Sequence, residues 1–174
     1  MILDTEITAL NCHSLALKEK ASDLYLHSNF RVYKDMSSRK KGKFFEMIVA
    51  EYFQKKGYNV TKAANSDHDR VIEKKKVEIK GSFLWGEGTH FRWQQIRTGQ
   101  DYDVMCFLAV YPDKIKFYGA TKEEVRYNVE VQDTQGNWVY NQHGGKKVNS
   151  GTFAIDGFPD DFTWFRPFEE VIND

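Results

Sequence analysis

The stretch Asp69-Arg-Val-Ile-Glu-Lys-Lys-Lys-Val-Glu-Ile-Lys-Gly-Ser82 combines acidic, basic and apolar residues in a period-two pattern. Side chains of a β-strand alternate between its two faces, so Glu78 and Lys80 share one face and the apolar residues beside them take the other. The alternation predicts a strand over 77–82, and an adjoining strand would bring Asp69 beside Glu78. Two carboxylates suit Mg²⁺, and a neighbouring lysine can hold or polarise a water molecule. The stretch therefore predicts a magnesium site.

Length and composition indicate a single domain with a substantial core. The chain has 174 residues, including 13 Phe, 9 Tyr and 4 Trp, enough for a filled aromatic core and some exposed stacking surface. Its apolar runs are too short to span a membrane, and its N-terminus lacks the features of a signal peptide. Cys12 and Cys106 have no metal-ligand spacing and stand in apolar contexts, which indicates reduced core thiols. A cytoplasmic location without membrane contact is the expectation.

Charge is unevenly distributed although the formal net charge is zero. Residues 1–100 hold 18 lysines and arginines against 12 acids, whereas residues 101–174 hold 7 against 13. The basic half contains the acid–lysine stretch. This distribution favours a phosphate-binding face near that stretch.

Two helices are predicted before the stretch. Apolar residues at three- and four-residue steps predict a helix over 2–28, which packs on its own domain or forms a dimer seam. After a basic segment, a second helix is predicted over 40–56, with Gly57 ending it. Glu46 lies at the border of the apolar stripe of that helix, about 100° from Phe45.

The remaining elements follow from alternation, turn residues and caps. An antiparallel meander is predicted for three short strands, and a hairpin for two later ones. A helix is predicted between them, with Thr89 as its cap and Gly99 at its end. A capping-box pattern starts a short helix at Thr121. The predicted strands are 58–62, 69–72, 77–82, 103–110, 114–119 and 152–155, with a polar loop over 128–151 and an aromatic cap over 162–172.

The order of elements over about residues 40–120 resembles the PD-(D/E)XK nuclease superfamily, the fold of many type II restriction endonucleases. Glu46, Asp69, Glu78-Ile-Lys80 and Gln95 stand at the corresponding places. The resemblance implies an α/β fold, a mixed α+β sheet flanked by helices, with a core of order αβββαβ. The core would span 37–127, after an N-terminal helix and connector (1–36) and before a C-terminal loop, strand and cap (128–174).

The sequence departs from the pattern of the family beside its first acid. His68 stands where the motif has proline, and Asp67 competes with Asp69 as the metal ligand. Spacing to Glu78 suits a hairpin and favours Asp69.

The resemblance also implies a catalytic set: Glu46, Asp69, Glu78, Lys80 and Gln95. Mg²⁺, for which Mn²⁺ substitutes, would be held by Asp69, Glu78 and the backbone carbonyl of Ile79. Glu46 would bind a second metal or order its waters. Lys80 would position or deprotonate water or stabilise charge, and Gln95 would orient Lys80 or contact the phosphate. Hydrolysis would leave 5′-phosphate and 3′-hydroxyl ends.

Double-stranded DNA is the expected substrate, cut at a specific sequence by a homodimer whose symmetry matches palindromic sites. Arginine and glutamine near the site can bind guanine and adenine edges. The predicted DNA contacts are Arg39, Lys40, Lys41, Lys43, Ser82, His90, Arg92, Gln94, Arg97, His143, Lys146 and Lys147.

Three alternatives remain open. A repair or recombination nuclease of the same fold would act on junctions or mismatches. A DNA-binding module would not cut at all, although the complete acid–acid–lysine set argues against it. In an α/β domain unrelated to nucleic acid, Glu78 and Lys80 would be an ordinary pair on a wet sheet face, but the basic half would stay unexplained.

Overall fold

The computed structural model describes residues 23–85, 88–144 and 151–174. Its helices are α1 (Arg31–Lys34), α2 (Ser38–Lys55), α3 (Lys122–Val129) and α4 (Phe168–Asn173), with a 3-10 turn at Pro159–Asp161. Its strands are β1 (Val60–Lys62), β2 (Arg70–Ile72), β3 (Lys75–Trp85), β4 (His90–Ile96), β5 (Val104–Val110), β6 (Ile115–Thr121), β7 (Phe153–Gly157) and β8 (Arg166–Pro167).

The strands form a mixed eight-stranded sheet. Its main path runs β1-β2-β3-β5-β6-β8, and β4 joins β3 to β7 beside that path. The β3·β5 pair is parallel, whereas the other pairs are antiparallel. The predicted mixed α+β sheet flanked by helices is confirmed, as are the β1-β2-β3 meander and the β5-β6 hairpin.

The sheet has a hydrophobic core on each face. All seven residues of β5 are buried, which identifies it as the central strand. Cys106 and Leu108 face the core that contains α2 and α4, whereas Phe107 faces the core that contains β4, β7 and α3. An aromatic segment over 158–165 adds its rings to the second core. Both faces of the central strand are therefore covered.

The predicted helix over 89–99 is wrong, because this segment forms strand β4. Phe91 and Trp93 alternate with polar neighbours and are fully buried in the second core, so their period is two. Thr89 does not cap a helix: its hydroxyl oxygen lies 2.9 Å from Nδ1 of His90 in the turn before β4. The αβββαβ order therefore has a strand where its second helix was expected.

The N-terminal prediction is tested only at its end. Residues 1–22, which hold most of the expected helix and Cys12, lie outside the described residues. Residues 24–27 form turns, so the prediction of a helix through residue 28 is wrong there. The Tyr25 side chain is buried, and its hydroxyl donates to the Val110 carbonyl and accepts from the Leu84 N–H. This tyrosine ties the N-terminal segment to the ends of β5 and β3.

Two local predictions are confirmed. The Thr121 hydroxyl accepts from the Glu124 N–H at 3.2 Å, and the Glu124 carboxylate accepts from the Thr121 N–H at 2.8 Å, which completes the capping box. Cys106 is a buried free thiol whose pKa is raised by burial. Within the described ranges, no helix has the length and apolar character to cross a membrane.

Candidate active site at the end of strand β2

Asp69 lies immediately before β2, where pairing with β3 ends. Its backbone N–H donates to the Val77 carbonyl at 2.9 Å, which continues the ladder by one bond. Its carboxylate oxygen Oδ2 then accepts from the Ile79 N–H at 2.7 Å. The side chain thus accepts the hydrogen bond that a backbone carbonyl would accept if β2 extended further along β3. This bond fixes the Asp69 carboxylate against β3. The sequence prediction that a hairpin brings Asp69 to the Glu78–Lys80 strand is borne out in this geometry.

Glu78 and Lys80 share one face of β3 and are paired. The Lys80 ammonium lies 2.7 Å from Glu78 Oε1, and only 5% of the Glu78 surface is exposed. Burial raises the pKa of Glu78, the nearby Lys80 opposes that rise, and Asp69 adds to it. Burial therefore favours the neutral form of this carboxyl group, and Lys80 is the nearest group that favours its charged form.

The backbone carbonyl of Ile79 faces the same gap as Asp69. The N–H and C=O of one strand residue point to the same side, and the Ile79 N–H points to Asp69. The carbonyl is therefore directed beyond Arg70, where β2 begins, into the gap beside Asp69. Together with Asp69 and Glu78 it offers hard oxygen ligands, the chemistry that Mg²⁺ prefers. The donor set fits the ion expected from the sequence.

Glu46 is held by a cation that the sequence analysis did not select. Its Oε2 lies 3.1 Å from Nη1 of Arg70, and the same nitrogen donates to the Asp69 carbonyl at 2.7 Å. Arg70 therefore links α2 to the residue before β2. In the described part of the chain, no three or more acidic, histidine or cysteine side chains are gathered as a metal site. The structure brings Asp69 and Glu78 together, whereas Glu46 forms a salt bridge with Arg70.

A groove of about 750 Å³ begins at Lys80 and runs along β3. One wall is the start of α2, which contributes Lys41 and the Phe45 ring. The other wall is β4, which contributes Arg92, Gln94 and Gln95. The groove thus combines cations, carboxamides and an aromatic surface beside the acid–lysine cluster.

Strand β4 carries an irregularity at the groove. Its pairing with β7 shifts register between Trp93 and Ile96, so Gln94 and Gln95 both stay outside the core. Gln95 has φ +56° and is exposed, and its N–H donates to Oε1 of Gln142 at 2.7 Å. The structure places Gln95 in the groove with Lys80, although on a strand rather than the expected helix.

The other predicted DNA contacts differ in their exposure to solvent. Ser82 is buried, and its hydroxyl donates to the Phe83 carbonyl and accepts from the Arg92 N–H, so it joins β3 to β4. Arg39, Lys40 and Lys43 are exposed on the first turns of α2, which begins at Ser38, earlier than predicted. His90, Arg97 and His143 are at least partly exposed, whereas Lys146 and Lys147 lie outside the described residues.

Two buried polar groups near the site carry no signal in the sequence. The Tyr102 side chain is 2% exposed, and its hydroxyl has no hydrogen-bond partner among the described residues. Nδ1 of His68, next to Asp69, is also buried and has no hydrogen-bond partner among the described residues. Such atoms are costly in a folded protein, and only the tertiary structure reveals them.

The comparisons with known proteins found one similar structure. No family model matches the sequence, and no curated protein matches it. The chain is similar in structure to a bacterial homing endonuclease, I-Ssp6803I, with a TM-score of 0.48 and 16% sequence identity. The alignment covers 79% of this chain and 92% of the endonuclease chain.

Proposed function

We propose that the protein is a Mg²⁺-dependent endonuclease that hydrolyses phosphodiester bonds of double-stranded DNA. The observation that carries the proposal is the bond from the Ile79 N–H to the Asp69 carboxylate. It sets two carboxylates, a strand carbonyl and Lys80 at one end of a groove lined by cations and carboxamides. This is the arrangement that phosphodiester hydrolysis requires: hard oxygen ligands, a cation near the reacting water and a channel for the backbone.

The roles of the residues follow from their contacts. Asp69 and Glu78, with the Ile79 carbonyl, would hold Mg²⁺, which relieves phosphate charge and lowers the pKa of water. Lys80 would turn its ammonium from Glu78 to the water or the phosphate. Glu78 must be ionised to act as a ligand, and its raised pKa means that activity should increase with pH.

Glu46 would have an indirect role in the resting site. Its carboxylate is already paired with Arg70, which also holds the Asp69 carbonyl. It can bind a second metal or order its waters only after that pair separates. In the arrangement described here, Glu46 contributes by fixing the segment that carries Asp69.

The finer parts of the proposal concern the substrate. A groove with both cations and carboxamides suits recognition of phosphates and base edges together. We therefore propose sequence-specific cleavage that leaves 5′-phosphate and 3′-hydroxyl ends. Cutting both strands at a palindromic site calls for a homodimer, to which residues 1–36 remain a candidate contributor.

The experiment compares cleavage of plasmid and phage DNA in Mg²⁺, Mn²⁺ and EDTA. Lys80→Met should lower the rate at least about a hundredfold, as loss of a charge-stabilising donor typically does. Lys76→Met is the matched control, because Lys76 belongs to the same strand and pairs with the exposed Asp101 instead. It should cut at the wild-type rate.

The pattern of products separates the alternatives. Discrete bands that disappear in EDTA and with Lys80→Met support a site-specific endonuclease. Cleavage confined to branched or mismatched DNA would support a repair nuclease of the same fold. A gel shift without cleavage under any metal would overturn the enzymatic proposal in favour of a binding module.

A further inference from the structure

Gln95 has a backbone conformation that needs a reason. Its φ of +56° lies in the left-handed region, which residues other than Gly, Asn and Asp rarely adopt. Among the described residues, Glu73 and Lys74 are the other non-glycine cases, and they form the two-residue turn between β2 and β3. Such turns require positive φ. Gln95 lies instead at the irregularity of β4, and bulges that need a left-handed residue usually have glycine there.

The surroundings of Gln95 hold it in place. The register shift in β4 leaves Gln94 and Gln95 side by side at the groove. The Gln142 side chain accepts from the Gln95 N–H at 2.7 Å, and the Ser82 hydroxyl accepts from the Arg92 N–H at 2.9 Å. Strand β4 is thus fixed at Arg92, before the bulge, and at Gln95, within it. Bulges commonly re-aim a side chain beside a functional site, and strain retained at such a position indicates function.

The chemistry of the Gln95 side chain narrows the range of ligands that it could bind. A carboxamide presents a donor and an acceptor together, and the Gln95 amide makes no hydrogen bond with the described residues. Phosphate oxygens only accept, and Lys41 already supplies a donor in the groove, as does Arg92, although one of its guanidinium nitrogens pairs with Asp156 at 2.9 Å. Adenine presents N7 as an acceptor and its N6 amino group as a donor in the major groove, which a glutamine amide matches in both respects.

We propose that Gln95 is a specificity-determining residue that contacts the adenine of one A·T base pair in the major groove of duplex DNA. The proposal rests on the proposed DNA substrate and gives the bulge its function. The neighbouring Gln94 contributes to the same surface, and Lys80 places this surface next to the reacting phosphate.

The test is selection of bound duplexes from a randomised pool in EDTA, where cleavage does not occur. Gln95→Gly keeps the left-handed backbone and removes the carboxamide. It should lose about tenfold to a hundredfold discrimination at one A·T position and keep the others. Lys74→Gly is the matched control, because it relieves a left-handed residue in a turn outside the groove. Both variants should melt at higher temperature than the wild type, but Lys74→Gly should keep the full binding preference.

A second variant keeps the test decisive if Gln95→Gly misfolds. Gln95→Asn tolerates the same backbone and carries the same amide one methylene shorter, so it should also lose the A·T preference. An unchanged preference in both Gln95 variants overturns the proposal. Equal weakening on all sequences also overturns it, since that result indicates a phosphate contact.

Failure of the two proposals can be told apart. A wild-type preference for A·T that depends on Gln95, without cleavage in Mg²⁺, supports the specificity role and overturns the nuclease activity. Cleavage by a wild type without any preference overturns the specificity role alone. Absence of duplex binding overturns both.

Discussion

Replacing Lys80 by methionine tests the energetics of the site without any assumption about substrate. Glu78 is 5% exposed, and its Oε1 lies 2.7 Å from the Lys80 ammonium. Methionine keeps most of the side-chain volume and removes the charge. The variant therefore leaves a buried carboxylate without its nearest cation, close to a second carboxylate on Asp69.

The expected loss in the free energy of unfolding at neutral pH is about 3 kcal/mol, the lower end of what breaking a buried ion pair costs. The lower end applies because Lys80 keeps 16% of its side-chain surface exposed, so water screens the pair in part. For a chain of this size the loss corresponds to a fall in Tm of about 6–12 °C. Urea unfolding followed by circular dichroism measures it directly.

The pH dependence of the stability loss shows whether the charge on Glu78 causes it. The pKa of Glu78 is raised in the folded protein, so this group favours folding fully below its unfolded pKa and loses that contribution as pH rises through the folded pKa. Lys80→Met raises the folded pKa further. The difference between variant and wild type should therefore be small near pH 4.5 and large at pH 8.

Two results would refute the reasoning. A loss that is the same at pH 4.5 and pH 8 would show that packing, not the charge on Glu78, causes it. A loss no larger than that of the exposed-pair control Lys76→Met would show that the buried pair contributes nothing special. The double variant Glu78→Gln/Lys80→Met should recover most of the stability, because neither charge then remains.

Four further predictions concern the stability of the fold around the site, and each is measured by chemical denaturation. Gly81→Ala should cost about 1–3 kcal/mol, because a Cβ at Gly81 would overlap the buried Phe45 ring; a neutral result would show that the ring moves freely. Gly42→Ala, in open space within α2, should instead stabilise by up to about 1 kcal/mol. Thr121→Ala should cost about 1 kcal/mol through loss of the helix cap, unless water replaces it. Tyr102→Phe should be neutral or stabilising, because it removes a buried hydroxyl without a partner; a loss above about 1 kcal/mol would reveal a partner.

Local alternation was enough to predict the strands around the site. The period of two predicts that Glu78 and Lys80 share one face of β3, and the regular parallel register with β5 is consistent with that prediction. Over 89–99 the same rule competes with Thr89 and Gly99, which are typical of the two ends of a helix. The aromatic residues Phe91 and Trp93 alternate there, but a bulge then breaks the alternation before Ile96. A bulge has no reliable sequence signal, so the period of two cannot be recognised there from the sequence.

The acid–lysine cluster could be predicted, whereas its surroundings could not. Asp69, Glu78 and Lys80 lie within twelve residues of one hairpin, so strand pairing alone nearly determines their geometry. The role of Arg70 cannot be predicted from the sequence, because its partner, Glu46, comes from α2, 24 residues away. Contacts of this kind depend on how a helix packs against the sheet, which no local pattern specifies.

The groove and the site have one structural origin, an interruption in the pairing of β3. Strand β2 pairs with β3 only over 75–77 and β4 only over 84–85, so between them β3 has a described strand partner on the β5 side alone. Unpaired strand edges are normally a liability. Here the Asp69 carboxylate occupies the first position of the gap, and the Phe45 ring covers Gly81, where a side chain would not fit. The remaining backbone faces the groove, and this is why Ile79 and Lys80 open onto the same space as the proposed base-reading bulge on β4.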